Sequence, residues 1–100
     1  MSWKPEADDI ALRRSFADAL GGPKSIEKHH AQGRLTVRER IAGLTDAGSF
    51  QEVGKLTGKG LYEDGKLAKV VPAPYVMGLA TIDGRPVAVG GEDFTVRGGT

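Results

Sequence analysis

The dipeptide Asp83-Gly84 constrains this chain more than any other feature of its sequence. It separates two strand-like runs, residues 75–82 and 85–89, and an Asp-Gly pair between such runs is the strongest short signal for a β-hairpin turn. In that register Thr81 faces Pro86 as a pair that exchanges no hydrogen bonds. The missing proline amide then points away from its partner strand. We predict a hairpin with an edge or a gap in the sheet beside Pro86.

The apolar character of these strands indicates cover on both faces of the sheet, since runs such as Val87-Ala88-Val89 leave no polar face. Three short helices within 100 residues supply little cover. The chain stops at Gly98-Gly99-Thr100, a glycine pair and a helix-capping residue with no helix after them. We expect that the native chain continues beyond this point or that it assembles with another.

Two helical patterns open the sequence. The first starts near Pro5 and stops at Gly21-Gly22, with an apolar stripe at helical spacing. The stripe consists of Leu12, Phe16, Ala19 and Leu20. The second runs from Pro23 to Ala31 or Gln32. Ile26 is its only large aliphatic residue, so we predict that it lies mostly on the surface.

A third helix is predicted over residues 37–44. Thr36 and Glu39 have the spacing of a capping box, in which each side chain accepts a hydrogen bond from the other residue's amide. Residues 50–56 are then expected to form a short strand. The glycine- and lysine-rich stretch at residues 57–69 predicts an exposed loop or a ragged hairpin.

Composition excludes several classes of protein. The net charge is +1, which gives no reason to expect a nucleic-acid or acidic membrane partner. No cysteine is present, so disulfide and thiolate chemistry are excluded and a reducing compartment is the default. The first 16 residues contain no apolar run long enough for a secretory signal or a membrane span. We expect a soluble, cytoplasmic protein.

Several short motifs resemble functional sites but lack the spacing or the companion residues that such sites require. His29-His30 are adjacent and diverge on a helix, so we expect surface histidines and no metal site. Ser25 and Lys28 match the SxxK pattern of acyl-enzymes, but its companion motifs are missing. The glycines of residues 54–60 lack the spacing of a phosphate loop. Glu92-Asp93 would face opposite sides of a strand, which argues against a catalytic carboxylate pair.

Two features remain as candidates for a site. Residues 24–40 carry a local charge of +3 beside a helix start, where phosphates bind well. An ordinary solvated basic face is the more common explanation of such a charge. Residues 94–100 form a predicted strand that enters a glycine turn, and the amides of such a turn can stabilise an anionic oxygen. A simple tight turn is the alternative.

Residues 28–41, 44–50 and 78–100 resemble the carboxyltransferase (β) subunits of biotin-dependent acyl-CoA carboxylases, of the propionyl-CoA carboxylase type. The most specific blocks are IDGRPVAV and DFTVRGGT. The resemblance implies an α+β or α/β chain: N-terminal short helices at residues 1–45, then the first strands of a crotonase-like (ClpP/crotonase) layer at residues 46–100. That layer would be incomplete, because family members are several times longer.

The resemblance also implies transfer of a carboxyl group from carboxybiotin to the α-carbon of an acyl-CoA. The oxyanion-hole glycines of the family lie beyond Thr100, so we assign no catalytic residue and no metal, and expect the isolated segment to be inactive. Biotin would arrive on a biotin carboxylase or carrier subunit, and the full-length subunit would form a homo-oligomer. The residues expected near the acyl-CoA are Phe94, Gly98, Gly99, Thr100, Arg34, Arg38 and Arg40.

Departures from the family pattern at Gly90-Gly91-Glu92 and at residues 57–69 leave the acyl-CoA open. Two non-enzymatic hypotheses also stay open. One is a module that binds the phosphates of CoA or of a nucleotide through its basic helical segment. The other is a structural or assembly segment.

Overall fold

A run of helices precedes two small antiparallel sheets in the computed structural model, which describes residues 2–99. The elements are, in chain order, helices α1 (Lys4–Asp18), α2 (Pro23–Ala31) and α3 (Val37–Leu44), strands β1 (Gln51–Val53), β2 (Gly58–Glu63), β3 (Lys66–Pro72), β4 (Tyr75–Ile82) and β5 (Arg85–Glu92), and a 3₁₀ turn (Arg97–Gly99). Strands β1, β4 and β5 form one sheet in the order β1-β4-β5, and β2 pairs with β3 in the other.

Helix α1 forms where predicted but packs differently. Leu20 is buried and Phe16 is half-buried, whereas Leu12 is 44% exposed and Ala19 lies on the surface. The predicted stripe is therefore wrong for Leu12 and Ala19. The reason is that α1 lies against the two-stranded β2–β3 hairpin, which is too narrow to cover a whole helix face.

Helices α2 and α3 have the predicted limits. No residue of α2 is fully buried, and Ile26 packs only partly against the core. In α3 the capping box is complete: Thr36 Oγ1 accepts from the Glu39 amide at 3.3 Å, and Glu39 Oε1 accepts from the Thr36 amide at 2.8 Å. These bonds satisfy two amides that a helix start otherwise leaves unpaired, which explains why so short a helix begins at Val37.

The β4–β5 hairpin confirms the predicted register. Ile82 pairs with Arg85, and Thr81 pairs with Pro86. Asp83 and Gly84 have φ angles of 51° and 76°, so both lie in the left-handed region that a type I′ turn requires. Strand β5 has no further strand beside it among residues 2–99, which agrees with the predicted edge. It ends at Glu92, three residues later than the sequence pattern indicates.

The lysine-rich stretch forms a hairpin and not a loop. Strands β2 and β3 pair through an Asp64-Gly65 turn, with an irregularity in register between Leu61 and Tyr62. The ragged-hairpin alternative is thus confirmed, and the pairing extends to Pro72. The strand predicted at residues 50–56 is shorter, because β1 ends before Gly54, whose φ of 75° turns the chain.

One hydrophobic core joins the helices to the larger sheet. Leu20, Val37 and Ile41 pack with Val76 of β4, and Phe50 and Val89 pack partly against them. The opposite face of β4 exposes Tyr75, Met77 and Leu79. The cover that the apolar strands predict on this second face is not supplied by the described residues. The helices and strands share this core, and the predicted division near residue 45 stays a prediction.

Candidate functional site

A cleft of about 540 Å³ opens between the start of α3 and the end of β5. The residues preceding α3 form one wall, and the chain that leaves β5 forms the other. Three residues singled out by the sequence meet here: Arg34, Arg40 and Phe94. Both arginines are exposed, and the Phe94 ring is 55% exposed. The cleft is therefore an accessible surface with guanidinium groups on one side and an aromatic ring on the other.

The charge of this cleft is mixed. Arg34 and Arg40 line it together with Glu92 and the buried Asp93. Glu39 belongs to the same helix as Arg40, but its carboxylate accepts from Thr36 and lies 2.7 Å from Nε2 of His30. That hydrogen bond with His30, followed by those with Thr36, lowers the pKa of Glu39 to about 2. These partners hold the Glu39 carboxylate in place. The arginines that line the cleft are Arg34 and Arg40, and both are exposed.

Arg38 lies elsewhere. Its guanidinium forms two parallel hydrogen bonds with the Glu52 carboxylate, and it does not line the cleft. Positions 38 and 40 of one helix diverge by about 200°, so the two side chains cannot share a face. This divergence is readable from the sequence. The partner Glu52, on a strand 14 residues away, is not.

The chain after β5 forms a turn where the sequence pattern predicts a strand. Residues 94–96 are in a turn because Asp93 Oδ1 accepts from the Thr95 amide at 2.9 Å and the Asp93 carbonyl accepts from the Val96 amide at 3.3 Å. The strand expected over residues 94–97 is therefore wrong. Aspartate two residues before threonine is a local turn signal, and it was available in the sequence. Glu92 and Asp93 accordingly do not share a strand.

The glycine turn that follows packs against Phe94. Arg97, Gly98 and Gly99 all have positive φ angles, between 46° and 85°, and the Gly99 amide donates to the Val96 carbonyl at 2.8 Å. A Cβ atom on Gly99 would lie 2.8 Å from the Phe94 ring. The missing side chain of Gly99 thus leaves room for the Phe94 ring. Thr100 lies outside the described residues.

Asp93 is a residue that sequence reasoning missed. It is 1% exposed, and its Oδ1 atom also accepts from the Thr95 hydroxyl at 2.5 Å. The Thr95 hydroxyl oxygen in turn accepts from the Gly21 amide at 2.9 Å. This chain of bonds ties the turn after β5 to the junction between α1 and α2.

The two histidines differ in their surroundings. His30 is exposed, as predicted, whereas His29 is half-buried, with Nδ1 placed 3.2 Å from the Ser25 carbonyl oxygen. The prediction of a surface position is wrong for His29, because α2 turns that side of the helix toward the cleft. Within residues 2–99, no three His, Asp or Glu side chains are grouped so that they could hold a metal ion. No helix in this part of the chain is long and apolar enough to cross a bilayer.

Comparison with known proteins gives a consistent result. The sequence profile of the carboxyl transferase domain matches residues 28–100. The chain is 43% identical over 94 residues to the methylmalonyl-CoA carboxyltransferase 12S subunit of Propionibacterium freudenreichii subsp. shermanii, which covers 93% of this chain and 18% of the relative. It is 42% identical over 97 residues to the propionyl-CoA carboxylase beta chain of Cereibacter sphaeroides, with 92% and 18% covered.

Comparison of the fold with solved structures gives the same result. A crystal structure of transcarboxylase 12S, solved with methylmalonyl-coenzyme A and methylmalonic acid bound, matches with a TM-score of 0.83 and 40% identity. The match covers 100% of this chain and 20% of that one. The predicted fold, short helices followed by the first strands of a crotonase-like layer, is confirmed by this match. The chain spans about a fifth of the length of the relatives it matches, and it belongs to the carboxyl transferase domain family.

Proposed function

We propose that this chain contributes the N-terminal part of the carboxyltransferase subunit of a biotin-dependent acyl-CoA carboxylase. The subunit would transfer a carboxyl group from carboxybiotin to the α-carbon of an acyl-CoA. The observation that carries this proposal is the match of residues 28–100 to the carboxyl transferase domain, together with identities above 40% to relatives named for methylmalonyl-CoA and propionyl-CoA.

The proposed reaction requires an enolate of the thioester, whose oxygen must be stabilised by hydrogen-bond donors held in place beforehand. We place those donors beyond Thr100, in agreement with the assignment of no catalytic residue to this segment. The described residues would bind and orient the substrate. The chain alone is therefore expected to be inactive.

The cleft between α3 and β5 is the proposed neighbour of the acyl-CoA. CoA is polyanionic through its phosphates and carries an adenine ring. Guanidinium groups pair with phosphate oxygens, and an exposed aromatic ring offers a flat apolar surface. Arg34, Arg40 and Phe94 present these groups in one cleft. Gly98 and Gly99 enter the proposal as the turn beside Phe94, and Arg38 enters it only through the helix that it shares with Arg40. Thr100 lies outside the described residues, and its place near the acyl-CoA is a proposal from the family resemblance alone.

Biotin would be delivered by a partner. Carboxybiotin supplies the carboxyl group, and it is normally carried on a lysine side chain. Among residues 2–99, no lysine lines the cleft. The described residues therefore do not fit a covalent biotin site there. We propose a biotin carboxylase or biotin carrier partner, a homo-oligomer of the full-length subunit, and a cytoplasmic location.

Titration of coenzyme A against the full chain tests the cleft. We expect the double variant Arg34→Ala/Arg40→Ala to bind at least about tenfold more weakly, because each lost charge-assisted bond contributes about 1.5–3 kcal/mol. Arg85→Ala is the control, since it removes one positive charge from an exposed residue at the start of β5 that does not line the cleft. Equal affinity of wild type, double variant and control would contradict the proposed site.

Activity requires a separate experiment. A complete subunit that contains this segment, mixed with carboxylated biotin carrier and propionyl-CoA or acetyl-CoA, should yield the carboxylated thioester. CoA binding without any carboxyl transfer would instead favour the non-enzymatic phosphate-binding module. Neither binding nor transfer would favour the assembly segment.

A further inference from the structure

Two buried polar atoms belong to side chains that line the same small cavity, and neither atom has a hydrogen-bond partner among residues 2–99. They are Nε of Arg38 and Oδ2 of Asp93. Arg38 and Asp93 both line a cavity of about 10 Å³, which lies between the start of α3, strand β1 and the turn after β5. An unpaired polar atom inside a protein costs free energy comparable to a lost hydrogen bond, so each of these atoms calls for a partner.

The other oxygens and nitrogens of these two side chains are already engaged. Both Nη atoms of Arg38 donate to Glu52, at 2.7 Å and 3.0 Å. Oδ1 of Asp93 accepts from the amide and hydroxyl of Thr95. Lys55, which also lines the cavity, pairs with Asp18. Of these side chains, the Arg38 Nε–H donor and the Asp93 Oδ2 acceptor are left without a partner among residues 2–99.

The chemistry of that pair selects the occupant. A cation would satisfy the carboxylate oxygen but would oppose the guanidinium group, and an anion would do the reverse. A water molecule accepts from one group and donates to the other. A site needs about 10–15 Å³ for the centre of a water molecule and at least two polar partners, and this cavity provides both.

We propose that one structural water bridges Arg38 Nε and Asp93 Oδ2. The bridge completes a continuous chain of polar contacts from Glu52 through Arg38, the water and Asp93 to Thr95. It connects one guanidinium group to two carboxylates, to Glu52 by direct contact and to Asp93 through water. The site joins α3 and β1 to the turn that supports Phe94, and it does not depend on the proposed function.

A crystal structure of the full chain at high resolution tests the proposal directly. One ordered water is expected within about 3.2 Å of both Arg38 Nε and Asp93 Oδ2. The same water should give a nuclear Overhauser effect to neighbouring amide protons in solution, as long-lived buried waters do. Absence of an ordered water at this point, or a protein atom bonded to either group in its place, would overturn the proposal.

A double-mutant cycle supplies an independent measurement. Arg38→Lys keeps the charge beside Glu52 but removes Nε–H, and Asp93→Asn keeps the shape and the acceptor for Thr95. We expect the two changes to be coupled by at least about fivefold in the unfolding equilibrium constant, measured with urea. Glu27→Gln, on the exposed surface of α2, should be additive with Arg38→Lys. If Asp93→Asn does not fold, the crystallographic water alone decides.

Discussion

Arg38 and Glu52 form a two-pronged ion pair that joins helix α3 to strand β1. The Nη1–Oε1 and Nη2–Oε2 distances are 2.7 Å and 3.0 Å, and the side chains are 24% and 13% exposed. A parallel guanidinium–carboxylate pair with this little exposure is stronger and more directional than a surface ion pair. The pair therefore links helix α3 to the sheet through two directional hydrogen bonds.

Removal of the Arg38–Glu52 ion pair should destabilise the fold. Arg38→Met retains the apolar stem but leaves the Glu52 carboxylate without its partner, and we expect a loss of about 2 kcal/mol in the free energy of unfolding. Lys4→Met is the control, because the Lys4–Asp8 pair is 77% and 64% exposed and should contribute less than about 0.5 kcal/mol. Urea unfolding measures both. Equal losses in the two variants would show that the Arg38–Glu52 pair contributes no more than a surface pair.

Gly21 and Gly43 should respond in opposite directions to the same substitution. A Cβ atom on Gly21 would overlap the carbonyl oxygen of Thr95, which is backbone and cannot rotate away. We expect Gly21→Ala to cost at least about 2 kcal/mol in unfolding free energy. Gly43 lies in α3 with open space around it, so Gly43→Ala should stabilise by about 0.5–1 kcal/mol. Thermal unfolding distinguishes them, and a neutral Gly21→Ala would refute the close approach.

The Glu39 carboxylate should make stability depend on pH in the acid range. Its pKa in the folded chain is about 2, below the ordinary value of 4.5. Its contribution is therefore complete above about pH 4.5 and is lost as the pH falls toward 2, because the unfolded chain binds the proton first. We expect the stability difference between wild type and Glu39→Gln to shrink over this window, as measured by urea unfolding.

The control for this experiment is Glu27→Gln, which makes the same change of side chain on the exposed surface of α2. His30→Ala should raise the pKa of Glu39 toward its ordinary value, since the hydrogen bond with His30 makes the largest contribution. Carboxyl chemical shifts report that pKa directly. An unchanged Glu39 titration in His30→Ala would contradict the assignment.

Asp46 should slow the hydrogen exchange of the backbone amides in the Asp83-Gly84 turn. Its carboxylate accepts from the Thr81 hydroxyl at 2.6 Å and from the Gly84 and Asp83 amides at 2.9 Å and 3.0 Å. These bonds, that of Thr81 first, lower the pKa of Asp46. In Asp46→Asn one acceptor oxygen becomes a donor, so we expect amide exchange at Asp83 and Gly84 to accelerate at least about tenfold.

The second hairpin provides an internal control. The Asp64-Gly65 turn has the same two residues and the same φ angles, 51° and 76°. Its amide exchange should not change in Asp46→Asn, as measured by hydrogen exchange in the same sample. Acceleration at both turns would indicate general destabilisation and not the loss of the Asp46 contacts.

The elements that the sequence predicted well are those whose signals are local. The Asp83-Gly84 turn and the Thr36–Glu39 capping box each depend on residues no more than three positions apart, and both are present as expected. The proline in β5 likewise indicated an edge from its own missing amide. The turn at Asp93 also has a local signal in the aspartate–threonine spacing, but the strand propensity of residues 94–96 predicts a strand there.

The candidate site was only partly predictable. The sequence identified Arg34, Arg40 and Phe94, but it could not show that the cleft places them together, because residues 34 and 94 meet only through packing of α3 on the sheet. By charge alone, Arg38 is indistinguishable from Arg34 and Arg40. Its engagement with Glu52 depends on a contact between a helix and a strand that no local pattern encodes.

The sequence by itself determined the helices and the Asp83-Gly84 hairpin, because backbone geometry, capping and turn chemistry operate over a few residues. It left residues 57–69 open between a loop and a hairpin, and it indicated the family through the identities of residues in three blocks. The tertiary structure alone decided which charges are neutralised, which face of α1 is covered and where Asp93 is buried. Those properties follow from contacts between elements distant in the chain, and their energies depend on burial and on the partner that packing brings within reach.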